Sequence, residues 1–415
     1  GWDAFGLPAE NAAIKNRTAP ARWTYDNIEH MRGQLRRLGF AYDWSREVTT
    51  CRPEYYRWEQ LMFTRLMRQG LAYRKDSEVN WDPVDQTVLA NEQVVDGRGW
   101  RSGAVVERRS IQQWFLKITD YAEELLQGLD ALEGWPDAVK TMQRNWIGRS
   151  EGAEFEMPVC DADGVPYSPG RSVRVFTTRP DTSFGMTYAV LAPEHPLVAE
   201  ITRPEQKPAV DEFVALARQA TEEDRLAVEG GLGKRGVFTG AYVLNPFTRK
   251  AVPLYLADYV LMGYGTGAIM AVPGQDQRDW DFAKAYGLPI VRTVAPPEGW
   301  QGDAWTEDGP AINSEWLNGL EVVKAKEQAT QWLVEQGIGE RKVNYRLRDW
   351  GVSRQRYWGC PIPVIYCDSC GALPVPEDDL PVVLPEDVNF MGVQSPIKAD
   401  PEWRRTTCPE CGAAA

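Results

Sequence analysis

Residues 265–279 read GTGAIMAVPGQDQRD, and this stretch predicts both a local fold and a binding site. Its three glycines lack a Cβ, so they permit positive φ angles or the close approach of a ligand to the backbone. The segment 268–272 is apolar enough for a buried wall, and its residues 269–272 are predicted to form a strand. From Asp276 onward the apolar residues recur at helical intervals, and Gly287 is a suitable end for that helix.

Two aspartates, Asp276 and Asp279, open the predicted helix, three residues apart and therefore on one face. The helix dipole stabilises negative charge there, so we expect both carboxylates to be ionised near neutral pH and able to bind an ammonium group. The alternative is purely structural: Asp276 is an N-cap and Asp279 is an acid of the first turn. The residues alone leave both interpretations open.

A second candidate loop follows the predicted strand 173–178, where residues 177–185 read TTRPDTSFG. Its threonine hydroxyls and the planar Arg179 cation suit a small polar ligand with an oxyanion, while Pro180 stiffens the turn. The structural alternative is a strand-end turn in which Asp181 caps a helix. Together, this loop and the glycine-rich loop could bind the two ends of an aminoacyl ester.

The sequence carries no recognisable nucleophile triad. Its two histidines, His30 and His195, accompany no serine or cysteine nucleophile motif. Hydrolysis would therefore need an oriented water molecule. The Gly-x-x-x-x-Gly-Lys phosphate loop and the dinucleotide fingerprint are also missing from the sequence.

Length and charge limit the classes of function. The chain has 415 residues, enough for two or three domains that each bury a core. Its net charge of −13 argues against nonspecific nucleic-acid binding through a generally basic surface. Basic and aromatic residues alternate in two local segments, 144–149 and 341–356, for which solvated charge is the default interpretation. No apolar stretch approaches the ~20 residues of a membrane span, so we expect a cytoplasmic, monomeric protein without a membrane partner.

Composition changes twice along the chain. Strand-rich sequence begins near Ser150, and the earlier Arg- and Trp-rich style resumes after Val343. These changes predict a mixed α/β domain over 151–343, inserted between the segments 1–150 and 344–415. Before the insertion, amphipathic helices are predicted at 24–38 and 54–69. The packed stripe predicted for the second helix is Trp58, Leu61, Met62 and Leu66.

The second of these helices is rich in aromatic residues. We interpret Tyr55, Tyr56 and Trp58 as packing residues rather than as a platform that stacks on bases.

Four of the seven cysteines form two Cys-x-x-Cys knuckles, each followed by glycine. They are Cys367, Cys370, Cys408 and Cys411, with 37 residues between the second and the third. Four thiolates suit tetrahedral zinc, and disulfides are disfavoured in a reducing compartment. We predict structural zinc. Four protein ligands leave no coordination position open, so this metal would not be catalytic.

Motifs along nearly the whole chain resemble the leucyl-tRNA synthetase family. The matching segments are GWDAFGLPAE (1–10), TMQRNWIGRSEG (141–152), TTRPDT (177–182), GYGTGAIMAVPG (263–274), DQRD (276–279), VNYRLRDW (343–350), SRQRYWG (353–359) and SPIKADPEW (395–403). The resemblance implies an α/β fold, in which a class I Rossmann-type catalytic core is interrupted by a barrel-like mixed α/β editing domain. A zinc ribbon over about 364–415 would follow.

The resemblance also implies an activity. Members of the family are leucine–tRNA ligases, which attach leucine to tRNA(Leu) with ATP and Mg, and their editing domain hydrolyses wrongly charged tRNA. In the editing pocket, Thr178 and Arg179 would hold the substrate ester and the terminal ribose, and Thr182 would exclude leucine sterically. Met270 and Val272 would line the wall of the pocket.

The aspartates would complete the two sites of the family. Asp279 would bind the α-ammonium of the edited amino acid, with Asp276 in support. In the synthetic site, Asp3 would bind the ammonium of leucine, and Glu10 would match another residue of the core. One position departs from the family pattern, because Gln275 stands where the family usually has histidine.

Two larger departures concern metal and ATP. The family's first zinc knuckle would lie at about 80–101, where this chain has no cysteine, so we expect that knuckle to be metal-free. The family's ATP signatures would lie before Gly1 and after Ala415. We therefore expect this chain to be a fragment that edits but does not activate leucine. Two alternatives stay open: a freestanding hydrolase that acts in trans on mischarged tRNA, and a zinc-ribbon module that only binds RNA.

Overall fold

A computed structural model describes residues 1–84, 87–89, 93–95, 97–167, 170–218, 235–262, 265–353, 356–388 and 395–415. Of the motifs quoted above, residues 263–264 and 354–355 lie outside this description. The helices are α1 (Leu7–Asn16), α2 (Pro20–Arg37), α3 (Pro53–Arg68), α4 (Ala122–Gly128), α5 (Asp137–Ile147), α6 (Val198–Ile201), α7 (Lys207–Ala217), α8 (Gln277–Tyr286), α9 (Val322–Glu335), α10 (Pro396–Ala399) and α11 (Pro401–Arg404).

The strands follow the same chain order. They are β1 (Ala72–Asp82), β2 (Thr87–Leu89), β3 (Val94–Val95), β4 (Arg98–Gly99), β5 (Glu107–Leu116), β6 (Arg149–Cys160), β7 (Ser172–Thr177), β8 (Tyr188–Leu191), β9 (Gly236–Leu244), β10 (Ala251–Ala257), β11 (Ala268–Ala271), β12 (Gly339–Tyr345), β13 (Trp350–Gly351), β14 (Val364–Cys367) and β15 (Gly371–Pro374).

The chain forms two compact units. Unit 1 consists of residues 1–120 and 348–415, and unit 2 consists of residues 121–347. Unit 2 is therefore inserted in the sequence of unit 1. The functional division at 150/151 and 343/344 stays a prediction.

Unit 2 is built on a mixed sheet of seven strands. Its order is β11-β8-β10-β9-β6-β12, and β7 pairs with β6. The pair β8 and β10 is parallel, whereas the other ladders of this sheet are antiparallel. β11 also lies against β7. The sheet therefore curls back on itself, and the loop after β7 comes close to the glycine-rich loop.

The core of unit 2 follows from the alternation of side chains along the strands. In β6, Ala153, Phe155, Met157 and Val159 are buried at every second position, as one face of a strand requires. Full burial of side chains such as Phe155 contributes roughly 1.5–3 kcal/mol each. The first residue of the same strand, Arg149, pairs with Tyr345 at the end of β12, so the start of β6 and the end of β12 lie side by side.

Unit 1 combines helices with an antiparallel sheet of order β13-β5-β1-β2. An isolated parallel bridge joins Trp2 to Thr49. A buried cluster that contains Ala13, Ile28 and Trp358 packs α1 and α2 against the segment that returns after the insertion. None of the helices in the described ranges is long and apolar enough to span a bilayer.

The helix α3 corrects one sequence prediction. Its buried face carries Tyr56, Gln60 and Thr64, whereas Trp58 is 62% exposed and Tyr55 is 39% exposed. The packing interpretation is therefore right for Tyr56 and wrong for the other two aromatic residues. The cause is the side-chain amide of Gln60, which makes hydrogen bonds to the backbone of residues 361 and 382 and so stabilises a polar buried face.

Candidate functional site and metal centre

The loop after β7 forms a buried 3₁₀ helix, Pro180–Gly185. Thr177 starts the turn, because its Oγ1 accepts a hydrogen bond from the Arg179 amide at 3.0 Å. The fully buried Asn245 donates from Nδ2 to the Ser183 carbonyl at 2.9 Å. Thr178 lies exposed at the mouth of this turn. The short helix is thus held at both its start and its middle.

Arg179 is oriented by Asp181. The guanidinium binds the carboxylate in a fork, with Nε to Oδ1 at 3.0 Å and Nη2 to Oδ2 at 2.9 Å. The Asp181 side chain is only 2% exposed, so its charge needs this partner. The alternative interpretation of Asp181 as a helix cap is wrong, because the residue lies inside the 3₁₀ helix and its carboxylate binds Arg179.

Thr182 is almost completely buried next to this fork. Its Oγ1 donates to the Arg179 carbonyl at 2.9 Å. A hydroxyl has one proton to donate, so this one is committed to the backbone. In this conformation Thr182 therefore cannot donate a hydrogen bond to a ligand. It can act on a ligand only through the bulk of its side chain.

The pocket wall comes from β11 and the residue after it. Met270 and Val272 are both buried. The Ser183 hydroxyl lies 3.4 Å from Met270 Sδ, so the wall contacts the 3₁₀ helix directly. At Gly185, a Cβ would lie 3.2 Å from Val272 Cγ1, which shows how closely the two segments approach.

Asp276 is the N-cap of α8. Its Oδ1 accepts hydrogen bonds from the amides of Arg278 at 2.8 Å and Asp279 at 3.2 Å. Its other oxygen pairs with the Arg278 guanidinium at 3.2 Å. The capping interpretation of Asp276 is confirmed.

Asp279 is buried, and both its carboxylate oxygens are hydrogen-bonded. Oδ2 accepts from the Val272 amide at 2.8 Å, and Oδ1 accepts from the Tyr259 hydroxyl at 3.1 Å. Burial and the nearby Asp276 carboxylate raise the pKa of Asp279 to about 7, although these hydrogen bonds and Arg278 lower it. The expectation that both carboxylates are ionised near neutral pH is therefore wrong for Asp279, because removal from water outweighs the helix dipole.

Gln275 is held between the wall and α8. Its Oε1 accepts hydrogen bonds from the Thr293 amide at 3.1 Å and the Thr293 hydroxyl at 2.9 Å. The backbone N–H of Thr293 can only donate, so the side-chain oxygen of Gln275, and not its nitrogen, must face Thr293. Its Nε2 is buried and has no partner among the residues that the structure describes. An amide at this position thus fixes the backbone of Thr293 by accepting from it.

The remaining predicted residues lie in unit 1. Asp3 is exposed, next to the Trp2–Thr49 bridge. Glu10 is buried and accepts a hydrogen bond from the Trp358 amide at 2.8 Å. Its burial raises the pKa of Glu10 above the usual range, against the hydrogen bond from Trp358.

The four cysteines of the two knuckles lie together in unit 1. Their Sγ atoms are all within 4.8 Å of one another. Cys367 ends β14, Cys370 lies in the turn to β15, and Gly371 completes that turn with a φ of 79°. The second knuckle repeats the design, with Gly412 at a φ of 72°. The four thiols can therefore hold one metal ion.

Three residues of the candidate pocket escaped the sequence analysis: Asp181 as the partner of Arg179, Asn245 as the support of the 3₁₀ helix, and Tyr259 as the partner of Asp279. Asp181 was detectable, since an acid two residues from an arginine is within reach of it. The other two lie 62 and 20 residues from their partners, so no local pattern marks them.

Comparison with known families agrees with this architecture. Residues 9–151 match the family model of the class I tRNA synthetases (I, L, M and V), and residues 144–334 match the model of the leucyl-tRNA synthetase editing domain. Fold and site thus define a class I aminoacyl-tRNA synthetase core interrupted by an editing domain. The predicted fold class is confirmed.

Individual relatives narrow this class. The leucine–tRNA ligases of Stenotrophomonas maltophilia (strain K279a) and Xanthomonas euvesicatoria pv. vesicatoria (strain 85-10) are 60% and 59% identical to the chain, over 100% of it and 48% of each relative. A crystal structure of the Agrobacterium radiobacter K84 agnB2 LeuRS, in a ternary complex with tRNA and LeuAMS, matches with a TM-score of 0.77 at 43% identity. The match covers 100% of this chain and 48% of the chain in that crystal structure. The chain belongs to the leucyl-tRNA synthetase family and spans about half the length of these relatives.

Proposed function

We propose that this chain is part of a leucine–tRNA ligase and that its segment 151–343 hydrolyses mischarged aminoacyl-tRNA. One observation carries the proposal: the Thr182 helix and the Asp279 carboxylate adjoin the same wall. Ser183 contacts Met270 at 3.4 Å, and the Val272 amide donates to Asp279 at 2.8 Å. A steric filter and an ammonium-binding carboxylate thus flank a single apolar surface.

Asp279 supplies the charge that recognises the amino acid. The α-ammonium of an aminoacyl ester is a cation, and a carboxylate removed from water attracts it more strongly than an exposed one. Approach of the cation also favours the ionised form of a group whose pKa is near 7. Each oxygen already accepts one hydrogen bond and has a lone pair left for the ammonium.

Thr182 supplies the steric filter. An apolar pocket separates two side chains that differ by one methylene by only about 1–3 kcal/mol, so a synthetase that must reject near-isosteres of leucine needs a second site. In this second site the cognate amino acid has to be excluded. The buried Thr182 side chain, which is held through its hydroxyl, would occupy the space that leucine needs.

Thr178 and Arg179 would hold the ester and the terminal ribose. In the reaction, a water oxygen bonds to the ester carbonyl carbon, the bond to the ribose oxygen breaks, and the ribose oxygen gains a proton. The Asp181 fork uses Nε and Nη2 of Arg179. Nη1 is not part of this fork, so it would stabilise the negative charge that develops on the carbonyl oxygen of the ester.

The other unit would serve synthesis and structure. In the complete ligase, Asp3 would bind the ammonium of leucine, and ATP and Mg would act with parts of the synthetase core. The four cysteines fit Zn²⁺, because their sulfurs lie within 4.8 Å of one another and four thiolates are its usual structural ligands. The metal would hold the two Cys-x-x-Cys knuckles of the predicted zinc ribbon (about 364–415) together. We propose tRNA(Leu) as the partner, with the enzyme monomeric in the cytoplasm.

Thr182→Ala tests the editing assignment. We expect the variant to hydrolyse correctly charged Leu-tRNA(Leu) about 10- to 200-fold faster than the parent, the range that one methylene-sized contact controls. The matched control is Thr182→Val, which keeps the bulk and loses the hydroxyl, and should still spare leucine. Release of labelled leucine measures both rates. If the alanine variant spares leucine as the parent does, the assignment is wrong.

A further inference from the structure

A cluster of aromatic side chains lies behind the candidate ammonium site. Tyr188, Tyr259 and Phe282 are all buried. The Tyr188 ring stacks on Phe282 with centroids 5.2 Å apart, and the Tyr259 ring meets Phe282 at an angle of 63° and 5.9 Å. Rings packed on a common neighbour have little freedom to turn, so the two hydroxyls are fixed in position.

Both hydroxyls reach the same residue of α8. Tyr259 donates to Asp279 Oδ1 at 3.1 Å, and Tyr188 donates to the Asp279 backbone carbonyl at 3.1 Å. The two hydroxyl oxygens are 3.4 Å apart. Each phenol has a single proton, so the Tyr259 proton that binds Oδ1 cannot serve another acceptor at the same time.

We propose that Tyr259 is the positioning residue of the ammonium site: its buried hydroxyl fixes one oxygen of Asp279 while the Val272 amide fixes the other. This inference rests on the proposed editing function. With both oxygens held from inside the domain, the plane of the carboxylate is set before a ligand arrives. An ammonium group then meets a preformed acceptor, and no side-chain freedom is lost on binding.

The hydrogen bond from Tyr259 also affects the pKa of Asp279. A residue that only packed against the site would leave that pKa unchanged. The titratable and charged groups that face Asp279 are the N-cap Asp276, Arg278 of α8, Tyr188 of β8 and Tyr259 after β10, and the Val272 amide after β11 binds it as well. Burial and Asp276 raise the pKa of Asp279, whereas the Val272 amide, Arg278 and the Tyr259 hydroxyl lower it. Loss of the Tyr259 hydroxyl should therefore raise that pKa further.

Tyr259→Phe tests the inference through the pH dependence of kcat/KM for deacylation of mischarged tRNA. We expect the acidic limb of the profile to move up by about one pH unit, as the loss of one hydrogen bond to a charged group predicts. Near pH 7 the variant should be several-fold slower, and at high pH the two rates should converge. Tyr255→Phe is the matched control. The Tyr255 ring also packs against Phe282, with centroids 5.5 Å apart, but the Tyr255 hydroxyl is not bonded to Asp279.

A readout independent of activity separates failure of the inference from failure of the proposed function. The carboxyl carbon of Asp279, labelled with ¹³C and assigned with Asp279→Asn, can be titrated in parent, Tyr259→Phe and Tyr255→Phe. A raised midpoint in Tyr259→Phe alone supports the positioning role, even if the parent hydrolyses nothing. Equal midpoints, or equal pH profiles in an active enzyme, would overturn it.

Discussion

The buried state of Asp279 predicts that editing by this chain fails in mildly acidic solution. The form that binds the ammonium is the carboxylate, and the pKa of the group is about 7. A group whose folded pKa is raised loses its charge as the pH falls through that value. Activity should therefore be present above pH 7 and should be lost below it.

The magnitude follows from the titration. With a pKa of 7, about nine-tenths of the Asp279 side chains are ionised at pH 8 and about one-tenth at pH 6. Protonation of Asp279 alone should lower kcat/KM for deacylation of mischarged tRNA(Leu) about tenfold between these values, and loss of the substrate's ammonium proton near pH 8 makes the observed fall smaller. A carboxylate that titrates near 4 would stay almost fully ionised at both, and the rate would not change for this reason.

The assay measures the release of labelled isoleucine or norvaline from tRNA(Leu) between pH 5.5 and 8, after subtraction of the reaction without enzyme. kcat/KM is the appropriate quantity because it reports the ionisation of the free enzyme. The α-ammonium of the substrate loses its own proton above pH 7–8, so a bell-shaped profile is expected. An acidic limb near pH 4, or a flat profile between pH 6 and 7, would refute the reasoning.

Two further predictions concern Asp276 and the metal centre. Asp276→Ala removes the N-cap of α8 and should lower the free energy of unfolding by about 1 kcal/mol, whereas Asp276→Asn keeps a good cap. Because Asn removes the charge that raises the pKa of Asp279, it should also move the acidic limb to lower pH, and thermal unfolding with the pH profile checks both effects. Metal analysis should find one zinc per chain, lost in Cys408→Ser but retained in Cys160→Ser, a buried cysteine of unit 2; zinc in both variants would contradict the assignment.

Elements with a strong local pattern were predictable. The helix after Asp276 is present as α8, its cap is the predicted residue, and it ends at Gly287 with a φ of 65°. The strands on either side of the pocket, β7 and β11, lie within one residue of the predicted 173–178 and 269–272. Each of these elements depends on contacts within a few residues of itself, which is why a single sequence reveals it.

The burial of α3 shows where pattern reasoning stops. Hydrophobic periodicity selects Trp58, Leu61, Met62 and Leu66 as the packed stripe, yet Trp58 and Met62 are among the most exposed apolar residues of unit 1. The buried stripe holds Gln60, which is satisfied by backbone groups more than 300 residues away. A polar side chain is buried when partners are available, and partners that distant leave no trace in the local sequence.

Asp279 shows the same limit for chemistry. The sequence places it in the first turn of a helix, where the dipole favours its charged form by typically 0.3–1 kcal/mol and at most ~2 kcal/mol. That corresponds to about 1.5 pKa units or less. Complete burial of a carboxyl raises its pKa by up to 3–5 units, so the depth of the residue decides the outcome. Depth depends on Tyr188 and Tyr259, whose hydroxyls bond to Asp279 from other elements. The residue that sequence singles out for its charge is therefore one whose charge the tertiary structure controls.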